Sequence, residues 1–177
     1  MATTLKVPGQ SPALPIMNAA DPTLLGDARH LSEALGELIR VVQFRDRDRA
    51  CCYDVSVSQC YALKGVADAG ALTINEVAAY LYLDKSTASR IANGLVDKEL
   101  LARVRDAEDG RVVQLVLTSE GRAVYSKIEA AQATEYAELL SDFAPEIRNA
   151  FTELIGRLGR SFASRVDASG GSCCVVK

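Results

Sequence analysis

The sequence predicts a mainly α-helical fold with a small β-hairpin wing, namely a winged helix-turn-helix flanked by long N- and C-terminal helices. Three observations indicate this fold class. Residues 73–121 contain two short helical segments joined by a turn, followed by two β-rich runs around a charged turn. Residues 21–49 and 119–166 carry apolar side chains at helical spacing over long stretches. The length of 177 residues is sufficient for one domain with a real core.

The first helix is predicted to begin at Asp21-Pro22-Thr23 and to run to about Arg49. Aspartate accepts hydrogen bonds from the free amides of a first turn, and proline suits the first helical position. The prolines of residues 1–20 favour a flexible N-terminal arm over a signal peptide. The apolar stripe of this helix comprises Leu24, Ala28, Leu31, Leu35, Leu38, Ile39 and Val42.

Two capping boxes predict the next two helices. In each box, a hydroxyl residue caps the helix and a Gln or Glu three residues later can accept from the backbone amide of that cap. The pairs are Ser56 with Gln59 and Thr73 with Glu76. Gly70 can supply the left-handed residue that ends the second helix. The third helix is expected to direct Val77, Ala78 and Leu81 inward.

A fourth helix is predicted to begin near Asp84 or Ser86, with Ala88, Ile91, Leu95 and Val96 on its buried side. In a helix-turn-helix the outward positions of this helix enter the major groove of DNA. Hydroxyls contact base edges or phosphates there, and the forked side chain of Arg90 can bind guanine bidentately. Taken alone, the same pattern also fits an ordinary surface helix. The outward residues are Lys85, Ser86, Thr87, Ser89 and Arg90.

The two β-rich runs, Leu101–Val104 and Val112–Leu117, predict a hairpin with a turn of Asp, Ala, Glu, Asp and Gly. Arg105 and Arg111 flank its tip. We expect Arg111 to enter a minor groove while Asp109 fixes its guanidinium through a charge-assisted hydrogen bond.

Charge alone does not predict DNA binding, because the net charge is −3. The segment from Asp84 to Arg111 contains six basic and six acidic residues. Binding must therefore depend on where individual side chains point. The basic residues are Lys85, Arg90, Lys98, Arg103, Arg105 and Arg111, and the acidic ones are Asp84, Asp97, Glu99, Asp106, Glu108 and Asp109.

After the wing, one helix is predicted from Ser119 to about Ser141 and another from Pro145 to about Val166. Their apolar surface exceeds what a small winged domain can cover, which indicates a partner surface. The stripe of the last helix comprises Ile147, Ala150, Phe151, Leu154, Ile155, Leu158 and Phe162.

At residues 83–121, LDKSTASRIANGLVDKELLARVRDAEDGRVVQLVLTSEG, the sequence resembles the MarR family of bacterial regulators. The matching features are the recognition helix, the Asp-x-x-Asp-Gly-Arg wing and the Leu-Thr-x-x-Gly that restarts a helix. The resemblance extends from Asp21 to about Val166, and it implies a homodimer on a pseudo-palindromic operator in double-stranded DNA. Residues 21–49 and 119–166 would form the dimerisation region. Glu99 departs from the family pattern, which usually has glycine there.

The predicted organisation is an arm over residues 1–20, one MarR-like domain over 21–166 with the winged unit at about 55–118, and a flexible cysteine-containing tail over 167–177. The predicted function is that of a DNA-binding transcriptional regulator, acting as a repressor in the cytoplasm. An enzyme is not expected, because no Ser/His/Asp set, phosphate loop or paired-carboxylate site is evident. A winged helix used only for protein contact is the alternative, and no apolar run predicts a membrane span.

Five cysteines suggest the signal that such a regulator receives: Cys51, Cys52, Cys60, Cys173 and Cys174. We expect them to be reduced, and soft thiolates favour a soft metal or a metalloid such as arsenite. Since His30 is the only histidine, an all-sulfur site is favoured over mixed zinc coordination. Binding there is predicted to release the repressor from DNA.

Other roles for these cysteines stay open. Low-pKa thiols near the start of the second helix can sense oxidants. An iron–sulfur cluster is disfavoured, because no familiar ligand spacing is present. Cys60 can also be a small buried apolar residue. Finally, the inducer can be a small aromatic ligand in an apolar pocket, as in many MarR relatives.

Overall fold

The computed structural model of the protein describes residues 22–50, 53–106 and 109–168. The chain divides into two compact units, Met1–Arg45 and Asp46–Lys177. The predicted single domain over residues 21–166 stays a prediction. The helices and strands are α1 (Leu24–Ala50), α2 (Val57–Ala69), β1 (Leu72–Thr73), α3 (Ile74–Tyr80), α4 (Lys85–Asp97), β2 (Leu101–Arg105), β3 (Val113–Leu117), α5 (Ser119–Leu140) and α6 (Pro145–Ala168).

This architecture, mostly helical with a small antiparallel sheet, confirms the predicted fold class. Each predicted helix occurs with ends close to those expected from the sequence. No helix in the described part of the chain is both long enough and apolar enough to cross a membrane.

Both predicted capping boxes are present. The Ser56 amide donates to Gln59 Oε1 at 2.9 Å, and the Gln59 amide donates to Ser56 Oγ at 3.2 Å. The Thr73 amide donates to Glu76 Oε2 at 2.7 Å, and the Glu76 amide donates to Thr73 Oγ1 at 3.3 Å. Gly70 ends α2 with a φ of 81°, in the left-handed region that glycine adopts without strain.

The sheet contains three antiparallel strands in the order β1-β3-β2. The wing hairpin pairs Leu101 with Leu117 at its base and Arg105 with Val113 near its tip. Strand β1 adds Leu72 opposite Leu115. Strand β1 is not predictable from the sequence, because two residues are too few to show a β period.

The core lies in the second unit, where α2, α3, α4, the sheet and α5 meet. On α4, Ala88 and Leu95 are buried as predicted, whereas Ile91 and Val96 are only half-buried. Ala92 is buried and was missed, because alanine gives a weak apolar signal. The largest fully buried side chains are Leu63, Val66, Val77, Leu95, Leu101 and Leu115.

The start of α5 fits closely against the end of α4. Thr118 accepts from the Gly121 amide at 2.9 Å and donates to the Glu99 carbonyl at 2.7 Å. A Cβ atom at position 121 would lie 1.9 Å from the Leu100 carbonyl oxygen. The glycine of the Leu-Thr-x-x-Gly pattern is therefore required for this approach.

Glu99 is the site of a stability prediction, because it adopts a φ of 59° between α4 and β2. A side chain in this left-handed region is strained by about 1–2 kcal/mol. Glu99→Gly relieves this strain but increases the conformational entropy of the unfolded chain, which cancels part of the gain. We therefore expect the free energy of unfolding to rise by a net amount of about 0.5–1 kcal/mol. Urea unfolding at fixed protein concentration measures this change.

Glu120→Gly is the matched control, because Glu120 is also exposed but lies in the first turn of α5. This variant should lose stability by about 0.5–1 kcal/mol, since glycine is a poor helix residue. Equal losses in both variants would contradict the assignment of strain to Glu99.

Candidate nucleic-acid interface

The start of α4 is organised by the carboxylate of Asp84. Its Oδ1 accepts from the Thr87 amide at 2.9 Å and from Ser86 Oγ at 2.5 Å, and its Oδ2 accepts from Thr87 Oγ1 at 2.7 Å. The hydroxyls of Ser86 and Thr87, followed by the Thr87 amide, hold the pKa of the Asp84 carboxyl well below its usual range. The carboxylate is therefore ionised at neutral pH and aligns both hydroxyls at the N-terminus of the helix.

Arg90 extends this network along the helix. Its Nη2 donates to Thr87 Oγ1 at 3.0 Å, so Thr87 both accepts from Arg90 and donates to Asp84. A guanidinium has five N–H donors, so most of the Arg90 donors stay available for a partner such as a guanine edge or a phosphate. Of the five residues predicted on this helix, Lys85, Ser86 and Arg90 are exposed, whereas Thr87 and Ser89 are half-buried.

The wing presents Arg105, Asp109 and Arg111, all of which are exposed. Residues 107–108 of the predicted turn lie outside the described residues. The Asp109 amide donates to Asp106 Oδ1 at 2.9 Å, and the Val112 amide donates to the Asp109 carbonyl at 2.9 Å. These bonds close the tip and position the arginines on either side of it.

The expected role of Asp109 requires correction. Its Oδ1 accepts from the backbone amide of Arg111 at 3.0 Å, instead of fixing the guanidinium. A short aspartate side chain reaches an amide two residues later more readily than the end of a long arginine, and this contact is an ordinary turn interaction. Asp109 therefore shapes the backbone of the wing, and the Arg111 side chain extends from that backbone.

Sequence reasoning missed one contact between the wing and α4. Arg103 Nη2 on β2 donates to Asn93 Oδ1 on α4, and both residues are exposed. The helical spacing does indicate that Asn93 lies on the outward face of α4, since it follows Ser89 by four residues and Arg90 by three. The residues predicted to contact DNA lie only in the N-terminal half of α4.

Among the predicted cysteine ligands, the structure describes only Cys60, on α2. It is a free thiol and is half-buried. Burial raises the pKa of the Cys60 thiol, and the nearby charge of Asp46 raises it further. The expectation of a low-pKa thiol at the start of this helix is therefore wrong for Cys60, because a thiol with a raised pKa is protonated at neutral pH.

The other four predicted ligands lie outside the described residues: Cys51, Cys52, Cys173 and Cys174. Within residues 22–50, 53–106 and 109–168, no group of three or more His, Cys, Asp or Glu side chains is arranged to hold a metal ion. The thiolate site for a metal or metalloid stays a prediction.

A cavity between α2 and α5 is lined by Cys60 together with Tyr53, Val57 and Ile128. Its space of about 460 Å³ includes an open mouth. Three of these four side chains are apolar or aromatic. Polar groups also reach the cavity at Asp46, Tyr61 and Gln132, and Tyr61 Oη donates to Asp46 Oδ2 at 3.4 Å.

A helix-turn-helix whose second helix is capped, beside a three-stranded sheet with the β2–β3 hairpin as its wing, defines a winged helix-turn-helix protein. Residues 53–112 match the model of the MarR family. The chain is 27% identical over 128 residues to the HTH-type transcriptional regulator YxaD of Bacillus subtilis (strain 168), covering 72% of this chain and 90% of that protein. It is 27% identical over 130 residues to the HTH-type transcriptional repressor MdtR of the same strain, covering 73% and 81% respectively.

Solved structures agree in fold. A MarR family protein from Bacillus stearothermophilus superposes with a TM-score of 0.71 at 23% identity, covering 83% of this chain and 99% of that one. Streptococcus pneumoniae FabT, solved in complex with DNA, superposes with a TM-score of 0.69 at 19% identity, covering 77% and 98%. These similarities bear out the predicted resemblance to the MarR family and support a MarR-type transcriptional regulator.

The exposed Arg111 side chain yields a prediction about DNA affinity. Replacing Arg111 by alanine should weaken binding to the promoter of the protein's own gene by about tenfold or more, because an arginine inserted into a groove contributes about 1–3 kcal/mol to the binding free energy. Fluorescence anisotropy at fixed salt measures the dissociation constant.

Arg157→Ala on α6 is the matched control, because it removes an exposed arginine that is distant in the sequence from the residues predicted to contact DNA. It should leave the affinity nearly unchanged. Unchanged affinity for Arg111→Ala as well would favour a winged helix used for protein contact.

Proposed function

We propose that the protein is a homodimeric transcriptional repressor in which α4 enters the major groove and the wing contacts the minor groove of a pseudo-palindromic operator. The outward display of Lys85, Ser86 and Arg90 on a helix capped by Asp84 is the observation that carries this proposal. Arg111 on the wing supplies the minor-groove contact. Because local charges balance, affinity depends on the placement of these few groups.

The apolar surface of α6 supports the homodimer. Phe151 is 54% exposed and Leu154 is 53% exposed in the single chain, and Ile147 and Phe162 lie on the same helical stripe. An exposed apolar stripe of this length is unfavourable in water and is typical of an interface. A second copy would cover it through a two-fold axis, which brings identical surfaces together.

The two-fold axis also fits the proposed operator. A symmetric dimer presents two copies of α4, and the major grooves that they enter lie about 34 Å apart, one turn of DNA. A change in the separation of the two helices would break both contacts at once.

The cavity beside α2 is the proposed site of the inducing signal. Its lining by Tyr53, Val57 and Ile128 suits a small, mainly apolar molecule such as an aromatic acid or phenol. The raised pKa of Cys60 argues against rapid oxidation of this thiol. A ligand here would bear directly on α2.

Lys98 supplies a physical link between this region and α4. Its Nζ donates to the carbonyl of Asp54 and lies 3.2 Å from Asp54 Oδ2. Lys98 is the residue that ends α4, and Asp54 adopts a φ of 52° in the turn beside Tyr53. Movement of that turn would be transmitted to the end of α4, which provides a population shift between DNA-binding and released states.

A second candidate signal is a soft metalloid such as arsenite. The observation that favours it is the free Cys60 thiol in the cavity wall. Thiolates of Cys51 or Cys52 and of a tail cysteine, Cys173 or Cys174, would complete a three-sulfur site.

Filling the cavity tests the first signal. Ala131 on α5 lines the cavity, so Ala131→Phe should abolish release of promoter DNA by a panel of substituted benzoates and phenols. Ala133→Phe is the control, because this exposed alanine on the same helix is not among the lining residues. The control and Cys60→Ser should both retain release. A gel shift with the full chain provides the measurement.

The same assay distinguishes the two signals. The second signal would be favoured over the first if arsenite releases the wild type from DNA but does not release Cys60→Ser, and if no aromatic compound releases either protein. Retained DNA binding under every condition would contradict both signals and leave the DNA-binding proposal intact.

A further inference from the structure

Asn93 extends the outward face of α4 by one turn. It lies four residues after Ser89, three after Arg90 and seven after Ser86, spacings that bring side chains to one side of a helix. Its side chain is exposed. If α4 enters the major groove as proposed above, Asn93 enters beside these residues.

The contact with Arg103 fixes which way the Asn93 carboxamide points. Arg103 Nη2 donates to Asn93 Oδ1. A guanidinium has donors and no acceptor, so only the amide oxygen can face it. The amide NH₂ of Asn93 must then point away from Arg103.

The base of this contact is well anchored. Arg103 is the third residue of the five-residue strand β2 and pairs with Leu115, which is 1% exposed. On the other side, Ala92 and Leu95 of α4 are fully buried. Asn93 and Arg103 therefore both project from backbone that is fixed by packing against the core. Binding to DNA would cost these two residues little further conformational entropy.

The engaged oxygen changes what Asn93 can recognise. A free asparagine binds adenine bidentately, donating to N7 and accepting from the N6 amino group. With its oxygen engaged by Arg103, Asn93 presents its NH₂ donor as the group most available to a base. Guanine presents two acceptors, O6 and N7, in the major groove, whereas adenine places an amino donor beside its N7.

We propose that Asn93 is a specificity-determining residue that favours guanine over adenine at one base pair of each half-site, with Arg103 as its positioning residue. This inference rests on the proposed DNA-binding function. The positive charge of Arg103 adds to the preference, because O6 and N7 of guanine form the more negative edge.

The test begins with an operator selected from a random oligonucleotide pool by the full-length protein. Dissociation constants are then measured by anisotropy for each single base-pair substitution, with the wild type and with Asn93→Ala. We expect Asn93→Ala to bind the selected operator about fivefold more weakly, as for one lost hydrogen bond, and to lose its guanine preference at one pair per half-site. Asn149→Ala, at an exposed asparagine on α6, should change neither quantity.

Arg103→Met tests the positioning role. It frees the Asn93 oxygen, so preference at the same base pair should shift from guanine toward adenine. Asn93→Asp provides a second variant that retains a partner for Arg103 but has no N–H donor, and it should also lose the guanine preference. Circular dichroism checks that each variant folds.

Each result has a distinct meaning. If the wild type selects no operator, the proposed function itself fails. If it selects one, but Asn93→Ala and Asn93→Asp leave every base preference unchanged, Asn93 does not read a base and the inference is overturned. An unshifted guanine preference in Arg103→Met would overturn the role of Arg103.

Discussion

The hydrogen bonds of the Asp84 carboxylate determine where α4 begins, and the proposed DNA contacts depend on that start. The carboxylate binds the Ser86 and Thr87 hydroxyls and the Thr87 amide, and Thr87 in turn accepts from Arg90. Ser86, Thr87 and Arg90 are therefore connected through Asp84 before DNA is present. Such preorganisation reduces the entropy lost on binding, which matters for a chain with a net charge of −3.

The sequence predicts well those features whose causes are local. The capping boxes at Ser56 and Thr73 are recognisable because a cap and its partner lie three residues apart. The contact between Asn93 and Arg103 was not predictable in this way, since its partners lie on different elements ten residues apart. The role of Asp109 was misjudged because the sequence does not show whether its carboxylate meets a backbone amide or a guanidinium.

Glu99 occupies a position where the MarR family usually has glycine, and its backbone conformation explains that preference. Its φ of 59° explains why glycine suits this position. The chain retains the turn, because the Glu99 amide donates to the Val96 carbonyl at 2.9 Å and Thr118 donates to the Glu99 carbonyl at 2.7 Å. Local strain is thus offset by bonds that join the end of α4 to the start of α5. The cavity lies between this same α5 and α2, so one helix contacts both the wing and the proposed signal site.

Hydroxyl-radical footprinting of the full-length protein on its own promoter tests most directly whether two copies of α4 act together. A two-fold dimer predicts two equivalent protected patches whose centres lie about 10 base pairs apart, on one face of the DNA. A single protected patch, or two patches at a spacing that is not a multiple of one helical turn, would contradict the proposed dimer on DNA.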